Sequence, residues 1–253
     1  MTVIRARTLS ARPASLIGLP LAYCPGCGHG ILHRIIAQAI DELRLQDRAI
    51  GITPAGCAVR MWQYFACDMT QALHGRGPAV GTGLKRSLPD RAIWVYQGDG
   101  DLAAIGMAEI VHAAARGEHI SVFFLNNGCF GATGGQMAPT TLIGQPTTTC
   151  SRGRDPNWFG YPIRVCELLS SLDAPAYITR VALLDAAHIR HAQRAVRRAF
   201  EVQMAGAGFS LVEALGICPT NLHLTPQQAT AWLKEKAMAY YPLGEFKVPQ
   251  GAP

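Results

Sequence analysis

Apolar and polar positions along the chain follow two periods, and the switches between them set out an alternating order of strands and helices. In ILHRIIAQAIDELRL, Leu32, Ile35, Ile36, Ala39, Ile40 and Leu43 fall on one face of a 3.6-residue repeat, which predicts an amphipathic helix. RAIGIT predicts a strand ending at PAGC, and RAIWVYQ a second strand ending at GDGD. LAAIGMAEIVHAAARG predicts a helix closed by Gly117. HISVFFL is continuously apolar, the pattern of a strand covered on both faces. PAYITRVAL and FSLVEAL predict further strands, separated by a helix that starts near Asp185. TPQQATAWLKEKAMAYY opens with a capping Thr225 and Pro226 and predicts a C-terminal helix. Strands alternating with helices imply right-handed crossovers, so the expected fold class is α/β, a mainly parallel sheet covered by helices on both faces. The stretch from Asn126 to about Tyr161 is rich in Gly, Thr and Pro and too long for a simple connector, the mark of a functional loop. With no internal repeat or low-complexity linker, residues 1–253 read as a single domain. An N-terminal arm takes about 1–20 and a C-terminal helix and tail about 225–253.

Composition changes this picture little. A chain of 253 residues that is 49% apolar and 16% charged can bury a sizeable core and is globular. No run approaches eighteen consecutive apolar residues, which predicts no membrane span. The opening MTVIRARTLSARPASLIGLP has several Arg and no acids, loosely like a transit peptide. It lacks a long apolar segment followed by a small-residue cleavage site, so it reads as an ordinary arm on a cytoplasmic chain. The net charge of +6 is not concentrated in one block and no nucleic-acid motif accompanies it. RHAQRAVRR reads as the solvated face of a helix; a mildly basic surface would still attract an acidic protein partner.

Candidate chemistry gathers at the ends of two predicted strands. Asp99 follows one apolar strand and Asn126-Asn127 the next, with Asn127 28 positions after Asp99. That spacing accommodates a turn, a helix, a second turn and a strand. Ligands bind beyond the carboxyl ends of parallel strands, and neighbouring strands lie roughly 5 Å apart, so an Asp carboxylate and an Asn amide oxygen can share one ion. Both are hard donors that suit Mg²⁺ or Ca²⁺. Gly98 and Gly100 let the backbone turn sharply and approach a ligand closely, and the following helix offers its N-terminus to phosphate. GDG alone marks only a tight acidic turn; GDG with NN at this spacing reads as a Mg²⁺-diphosphate clamp.

The motif GDGD…NN resembles that of thiamine-diphosphate enzymes. The strings YCPGCGHG, HGRGPAVGTGLKRSLPD, YQGDGDLAAIG, TGGQMAPTT, GYPIRVCELL and CPTN resemble the β subunit of 2-oxoacid:ferredoxin oxidoreductases. The resemblance implies a thiamine-diphosphate-binding fold. It further implies that Asp99 and Asn127 ligate Mg²⁺ by their side chains and Cys129 by its backbone carbonyl. His74, Gly75, Gly98, Gly100, Asp101, Phe130, Gly131, Thr133 and Cys57 are implied to lie around the cofactor. Phe130 and Ala132 stand where relatives often carry Tyr and Met; this leaves the clamp intact and bears on substrate preference.

Eight cysteines without a secretory signal favour metal ligation or buried thiols over disulfides. Cys24 and Cys27 form a CxxC, Cys57 follows a strand, and Cys218 follows the last predicted strand. Four thiolates suit either Zn²⁺ or a [4Fe–4S] cluster. The resemblance implies the cluster, and a decarboxylation that leaves two electrons to be removed needs a redox centre that zinc is not. Cys67, Cys150 and Cys166 read as buried or incidental, and His29 and His33 open the first helix beside the CxxC.

No motif places Glu42, Glu109, Glu118 or Glu167 where an activating carboxylate would sit. The resemblance implies that the catalytic Glu comes from a separate α subunit, alongside γ or δ subunits where the enzyme has them. The implied activity is CoA-dependent oxidative decarboxylation of a 2-oxo acid to an acyl-CoA and CO₂, with electrons passed to ferredoxin. GDGDLAAIGMAE and CPGCGHGILHR look closest to the 2-oxoisovalerate type. 2-Oxoglutarate, pyruvate, a non-oxidative thiamine decarboxylase or synthase, and a zinc-stabilised scaffold subunit stand as alternatives.

Overall fold

The computed structural model describes residues 11–249. The outer parts of the expected arm and tail, 1–10 and 250–253, lie outside the described residues. The elements run in chain order as α1 (Gly28–Glu42), β1 (Ala49–Thr53), β2 (Asp68–Gln71), α2 (Gly77–Ser87) and β3 (Ala92–Gly98). A π-helical turn (Gly100–Ile105), α3 (Met107–Ala115) and β4 (Ser121–Asn126) follow, then the short strands β5 (Cys129–Phe130) and β6 (Gln136–Met137). Next come α4 (Pro156–Phe159), α5 (Val165–Ser170), β7 (Tyr177–Ala182), α6 (Ala186–Met204) and β8 (Ser210–Leu215). The last elements are α7 (Pro219–Leu222), α8 (Pro226–Trp232), a second π-helical turn (Leu233–Ala237), α9 (Met238–Tyr240) and β9 (Gly244–Lys247).

Seven strands form one sheet in the order β2-β1-β3-β4-β8-β7-β9, parallel throughout except for β9 at its edge. Period-two alternation assigns the two cores. Trp94, Tyr96, Phe123 and Leu125 pack with Leu32, Ile36, Ile40 and Phe200 of α1 and α6 on one face. Ile93, Val95, Val122 and Phe124 meet Ile110 of α3 and Leu169 of α5 on the other. Because both faces are covered, these strands read as unbroken apolar runs.

Most predicted elements are present, with Asp185 capping α6 through the N–H groups of Ala187 and His188, and Thr225 and Gln228 forming a capping box on α8. The helix expected to run on from Leu102 is instead split at Gly106. A Cβ on Gly106 would lie 2.6 Å from the Gly75 carbonyl oxygen, so the Gly75 turn presses against the chain there and the backbone takes a π turn before α3 begins. Among the elements that the pattern left unassigned, β2 and α2 are polar or Gly-rich and carry little periodic signal.

One buried ionic network ties three strands together. Arg180 and Glu213 stand opposite each other on β7 and β8, both without solvent exposure. Arg180 Nε donates to Glu213 Oε2 at 2.8 Å, and Asn126 Nδ2 donates to Glu213 Oε1 at 2.8 Å. Arg180 also donates to Glu167 and lies over the rings of Tyr241 and Phe246. Removing one member of such a pair strands a buried charge. Arg180→Met is therefore expected to lower unfolding free energy by about 3–5 kcal/mol in urea titrations; a loss below about 1 kcal/mol would show that the pair carries no weight.

Candidate active site at the carboxyl ends of β3 and β4

β3 and β4 are parallel neighbours in a register that pairs Gly98 with Leu125, so the chain leaves both strands at the same level. Asp99 is buried there. Its Oδ2 accepts the N–H of Asn127 at 3.3 Å, the N–H of Cys129 at 3.0 Å and the hydroxyl of Thr140 at 3.1 Å. Its Oδ1 accepts the N–H of Gly100 at 2.9 Å. Burial pushes the Asp99 carboxyl up to about 6, against the opposing pull of these donors. Among the described residues no Lys, Arg or His pairs with it. A buried carboxylate that lacks a cation is a place where a divalent ion fits.

Asp99 and Asn127 are thus brought together, while the adjacent Asn126 is turned away and spent on Glu213. A cleft of about 230 Å³ opens over them, lined by His29, Pro54–Val59, His74, Gly98–Asp101, Asn127 and Cys129–Thr133. All the residues expected around a cofactor are in or beside it except Gly75, which lies one residue behind His74. Gly75 has φ +78, and its N–H donates to Asp101 Oδ1 at 2.9 Å. Asp101 also lies 2.5 Å from His74 Nδ1 and accepts from Gln97 Nε2 at 2.7 Å, so its carboxylate fixes the His74-Gly75 turn. Phe130 packs its ring on Gly100, where a Cβ would come within 2.2 Å of it, and meets His74 edge-on. Only Gly fits at position 100 under that ring.

Cys57 and Cys129 line the same cleft, and Cys218 lies beside it at Gly131. A Cβ on Gly131 would lie 2.9 Å from Cys57 Sγ and 3.8 Å from Cys218 Sγ, so these two sulfurs flank one backbone position. Cys24 and Cys27 are joined by a tight turn in which the Cys27 N–H donates to the Cys24 carbonyl at 3.0 Å. Burial pushes the Cys27 thiol up to about 11 and the Cys57 thiol up to about 12, and the charges of Cys24, Cys27, Cys57 and Cys218 act on one another. The Cys129 thiol donates to Asn127 Oδ1 at 3.7 Å, and its sulfur lies 3.9 Å from Asn221 Nδ2. All eight cysteines are free. Among the described residues no three His, Cys, Asp or Glu side chains are gathered closely enough to hold a single metal ion. One zinc would need sulfurs about 3.8 Å apart, whereas a four-iron cluster spreads its four thiolates around a larger body.

Behind the cysteines lies a buried aromatic group. His29 Nδ1 is 2.8 Å from the Tyr96 hydroxyl and His33 Nε2 is 2.7 Å from the Tyr23 hydroxyl. Burial pushes His29 down to about 4 and His33 down to about 3, so both are neutral. Among the described residues no glutamate lines the cleft. Glu109 pairs with Arg76, Glu118 with Arg86 and Arg116, and Glu167 with Arg180.

Three contributors escaped the sequence reading. Thr140 holds Asp99, and Asn221 donates to the Cys218 sulfur at 3.2 Å. Arg154 is buried, and its guanidinium donates to the carbonyls of Ala138, Pro139, Thr141, Phe159, Gly160 and Tyr161 at 2.8–3.4 Å. TGGQMAPTT and CPTN hold the first two, but hydroxyl and amide side chains are too common to single out. Arg154 is expected to organise the long loop. Arg154→Ala should speed hydrogen exchange across 155–161 and cost about 2–4 kcal/mol; unchanged exchange there would refute this role.

Comparison with known proteins gives a consistent result. A family model described as the thiamine pyrophosphate enzyme C-terminal TPP binding domain matches residues 55–214. The chain is 53% identical over 225 residues to ketoisovalerate oxidoreductase subunit VorA of Methanothermobacter thermautotrophicus, covering 89% of this chain and 47% of that protein. It therefore spans about half the length of that relative. It is 33% identical over 226 residues to 2-oxoglutarate synthase subunit KorB of Methanocaldococcus jannaschii, covering 87% of this chain and 79% of that protein. A solved 2-oxoglutarate:ferredoxin oxidoreductase from Magnetococcus marinus, with 2-oxoglutarate, coenzyme A and succinyl-CoA bound, has the same fold. Its TM-score is 0.76 at 22% identity, covering 98% of this chain and 88% of that one.

Proposed function

Since the chain belongs to the thiamine pyrophosphate enzymes, and among them to the 2-oxoacid oxidoreductase subunits, we propose that it forms the thiamine- and cluster-bearing half of a 2-oxoacid:ferredoxin oxidoreductase. The reaction is CoA-dependent oxidative decarboxylation of a 2-oxo acid to an acyl-CoA and CO₂. 2-Oxoisovalerate is the favoured substrate, because identity to the ketoisovalerate subunit is 53% against 33% for the 2-oxoglutarate subunit. The observation that carries the reading is Asp99. It is a buried carboxylate with no cationic partner that closes the ends of β3 and β4 beside Cys57, Cys129 and Cys218.

Thiamine diphosphate, when bound, supplies the nucleophilic carbon and the electron sink for decarboxylation. Asp99, Asn127 and the Cys129 carbonyl would hold the Mg²⁺ that carries its diphosphate. The Gly98–Gly100 backbone allows close approach, and His74 and Phe130 wall the cleft with Gly131 and Thr133 at its rim. Cys24, Cys27, Cys57 and Cys218 would hold a [4Fe–4S] cluster that passes electrons singly to ferredoxin. The raised thiols of Cys27 and Cys57 fit such a role, because a bound metal centre offsets the burial that opposes thiolates.

The cleft is small for a cofactor with its substrate, at about 230 Å³ against the roughly 300–1,000 Å³ of ordinary ligand sites. With no glutamate among the described residues lining it, this supports a site whose other wall and activating carboxylate come from an α subunit. We take residues 1–253 as one thiamine-diphosphate-binding unit of a cytoplasmic hetero-oligomer. No helix of the described residues is long and apolar enough to cross a membrane.

Anaerobic co-purification with its partner subunits should give brown, dithionite-bleachable protein that reduces a viologen dye with 2-oxoisovalerate and CoA. Asp99→Asn and Asn127→Ala should each weaken Mg²⁺-dependent thiamine diphosphate binding by at least about a hundredfold in calorimetry. Tight binding retained by Asp99→Asn, or full activity of the chain without partners, would overturn the assignment.

A further inference from the structure

The corner of the fold that holds Cys24 and Cys57 carries an apolar surface with charge of one sign at its edge. Both cysteines are exposed, so a centre that they ligate lies at the surface. Near them Ile17, Leu19, Leu21, Ile31 and Trp62 are exposed, Leu19 at 52% and Trp62 at 51%. Single apolar residues on a surface are ordinary, whereas a group of them in one corner marks a contact surface. These side chains are presented by a fixed backbone. The Ile17 N–H donates to the Tyr64 carbonyl at 2.8 Å and the Ala22 N–H to the Tyr64 hydroxyl at 2.9 Å, which ties the arm to the turn carrying Trp62. Leu21 reaches Gly30 at the start of α1, where a Cβ would lie 3.0 Å from it, and Tyr23 stacks on His29 at 5.2 Å beside the CxxC. No Asp or Glu occurs in 11–40 or in 48–67, whereas Arg12 and Arg60 are exposed, and the Arg12 guanidinium folds back onto Gly18. Asp41, the first acid after the arm, accepts the N–H groups of Ala14 and Ser15 at the arm's other end.

We propose that this corner is the docking surface for the electron acceptor, a small acidic iron–sulfur protein of the ferredoxin kind. The inference rests on the proposed function. An apolar centre with cations at its rim matches a partner whose own contact face is framed by carboxylates. The apolar contact excludes water and sets how close the two proteins come, while opposite charges speed the encounter and orient it. Electrons pass between two centres only when those centres are close, and Cys24 and Cys57 are where this chain brings its proposed centre to the surface. Cys57 also lines the cofactor cleft, so the path from cleft to partner is short. Each docking passes one electron, the acceptor's cluster gaining the one given up at Cys24, Cys27, Cys57 and Cys218. The two electrons left by decarboxylation therefore take two encounters.

The test is calorimetric titration with an acidic [4Fe–4S] ferredoxin as the probe, on anaerobically purified protein with its co-purifying subunits. It is run on the wild type, Leu19→Asp, Arg60→Glu and Trp62→Ala. The wild type should bind, and its Kd should rise with added salt. Leu19→Asp and Arg60→Glu, which place negative charge on the surface, should each weaken binding by about tenfold or more. Trp62→Ala, which removes apolar area without changing charge, should weaken binding and leave the salt dependence as it was. All three should keep the wild-type iron content, melting temperature and rate of methyl viologen reduction, because a small dye needs no docking surface. Unchanged binding in the two charge variants would overturn the inference, as would a wild-type Kd indifferent to salt. Loss of the co-purifying subunits from these variants would also overturn it, since the corner would then be a subunit interface. Wild-type protein with iron and viologen activity that binds no ferredoxin would sink the docking surface alone. Wild-type protein without iron would bring down the cluster reading as well.

Discussion

The carboxylate of Asp99 is the point on which the site depends. One oxygen gathers the N–H groups of Asn127 and Cys129 and the hydroxyl of Thr140, and so draws the loop after β4 over the end of β3. The arrangement is costly in itself, because a carboxylate is held out of water without a counter-ion, and burial raises its pKa to about 6. A fold optimised only for stability would put a neutral side chain there. The carboxylate's position is set by four donors, so a cation bound there would need little further ordering of the site.

That precision is supported from behind. Asn126 and Asn127 are chemically identical neighbours, yet alternation along β4 sends their side chains to different surroundings. Glu213 captures Asn126, and Glu213 is itself held by Arg180 on the next strand. The loop opposite is held by a different device. Arg154 satisfies carbonyls from both Ala138–Thr141 and Phe159–Tyr161, which sets the backbone that presents Thr140 to Asp99. Two buried guanidinium groups thus brace the clamp from two sides, one against carboxylates and one against peptide oxygens.

The alternating strands, their apolar continuity and the placement of Asp99 and Asn127 at neighbouring strand ends were legible in the sequence, because burial on both faces and a fixed β–α–β spacing leave a strong local signal. The family strings were equally legible. Less visible were features set by contacts between distant segments. The break at Gly106 comes from Gly75, 31 residues earlier in the chain, and no periodicity within the helix announces it. β2 is short and half-exposed, and β9 joins the edge in the antiparallel sense. Arg154 carries no signal in the sequence, since nothing local tells a guanidinium that meets solvent from one that meets six carbonyls.

The placement of the cysteines has a geometric reason. Four ligands from three loops can share one centre only where those loops leave the sheet at a common edge. Cys57 follows β1, Cys218 follows β8, and the CxxC precedes α1, whose N-terminal Gly28 packs on Gly216 and Leu125. Small residues at 28 and 216 are what let that helix end sit against the strand ends; a Cβ at 216 would already come within 2.8 Å of Leu125. The same edge carries Asp99 and Asn127, because all of β1, β3, β4 and β8 run in one direction. Parallel topology therefore places Asp99, Asn127, Cys57 and Cys218 at one edge of the sheet.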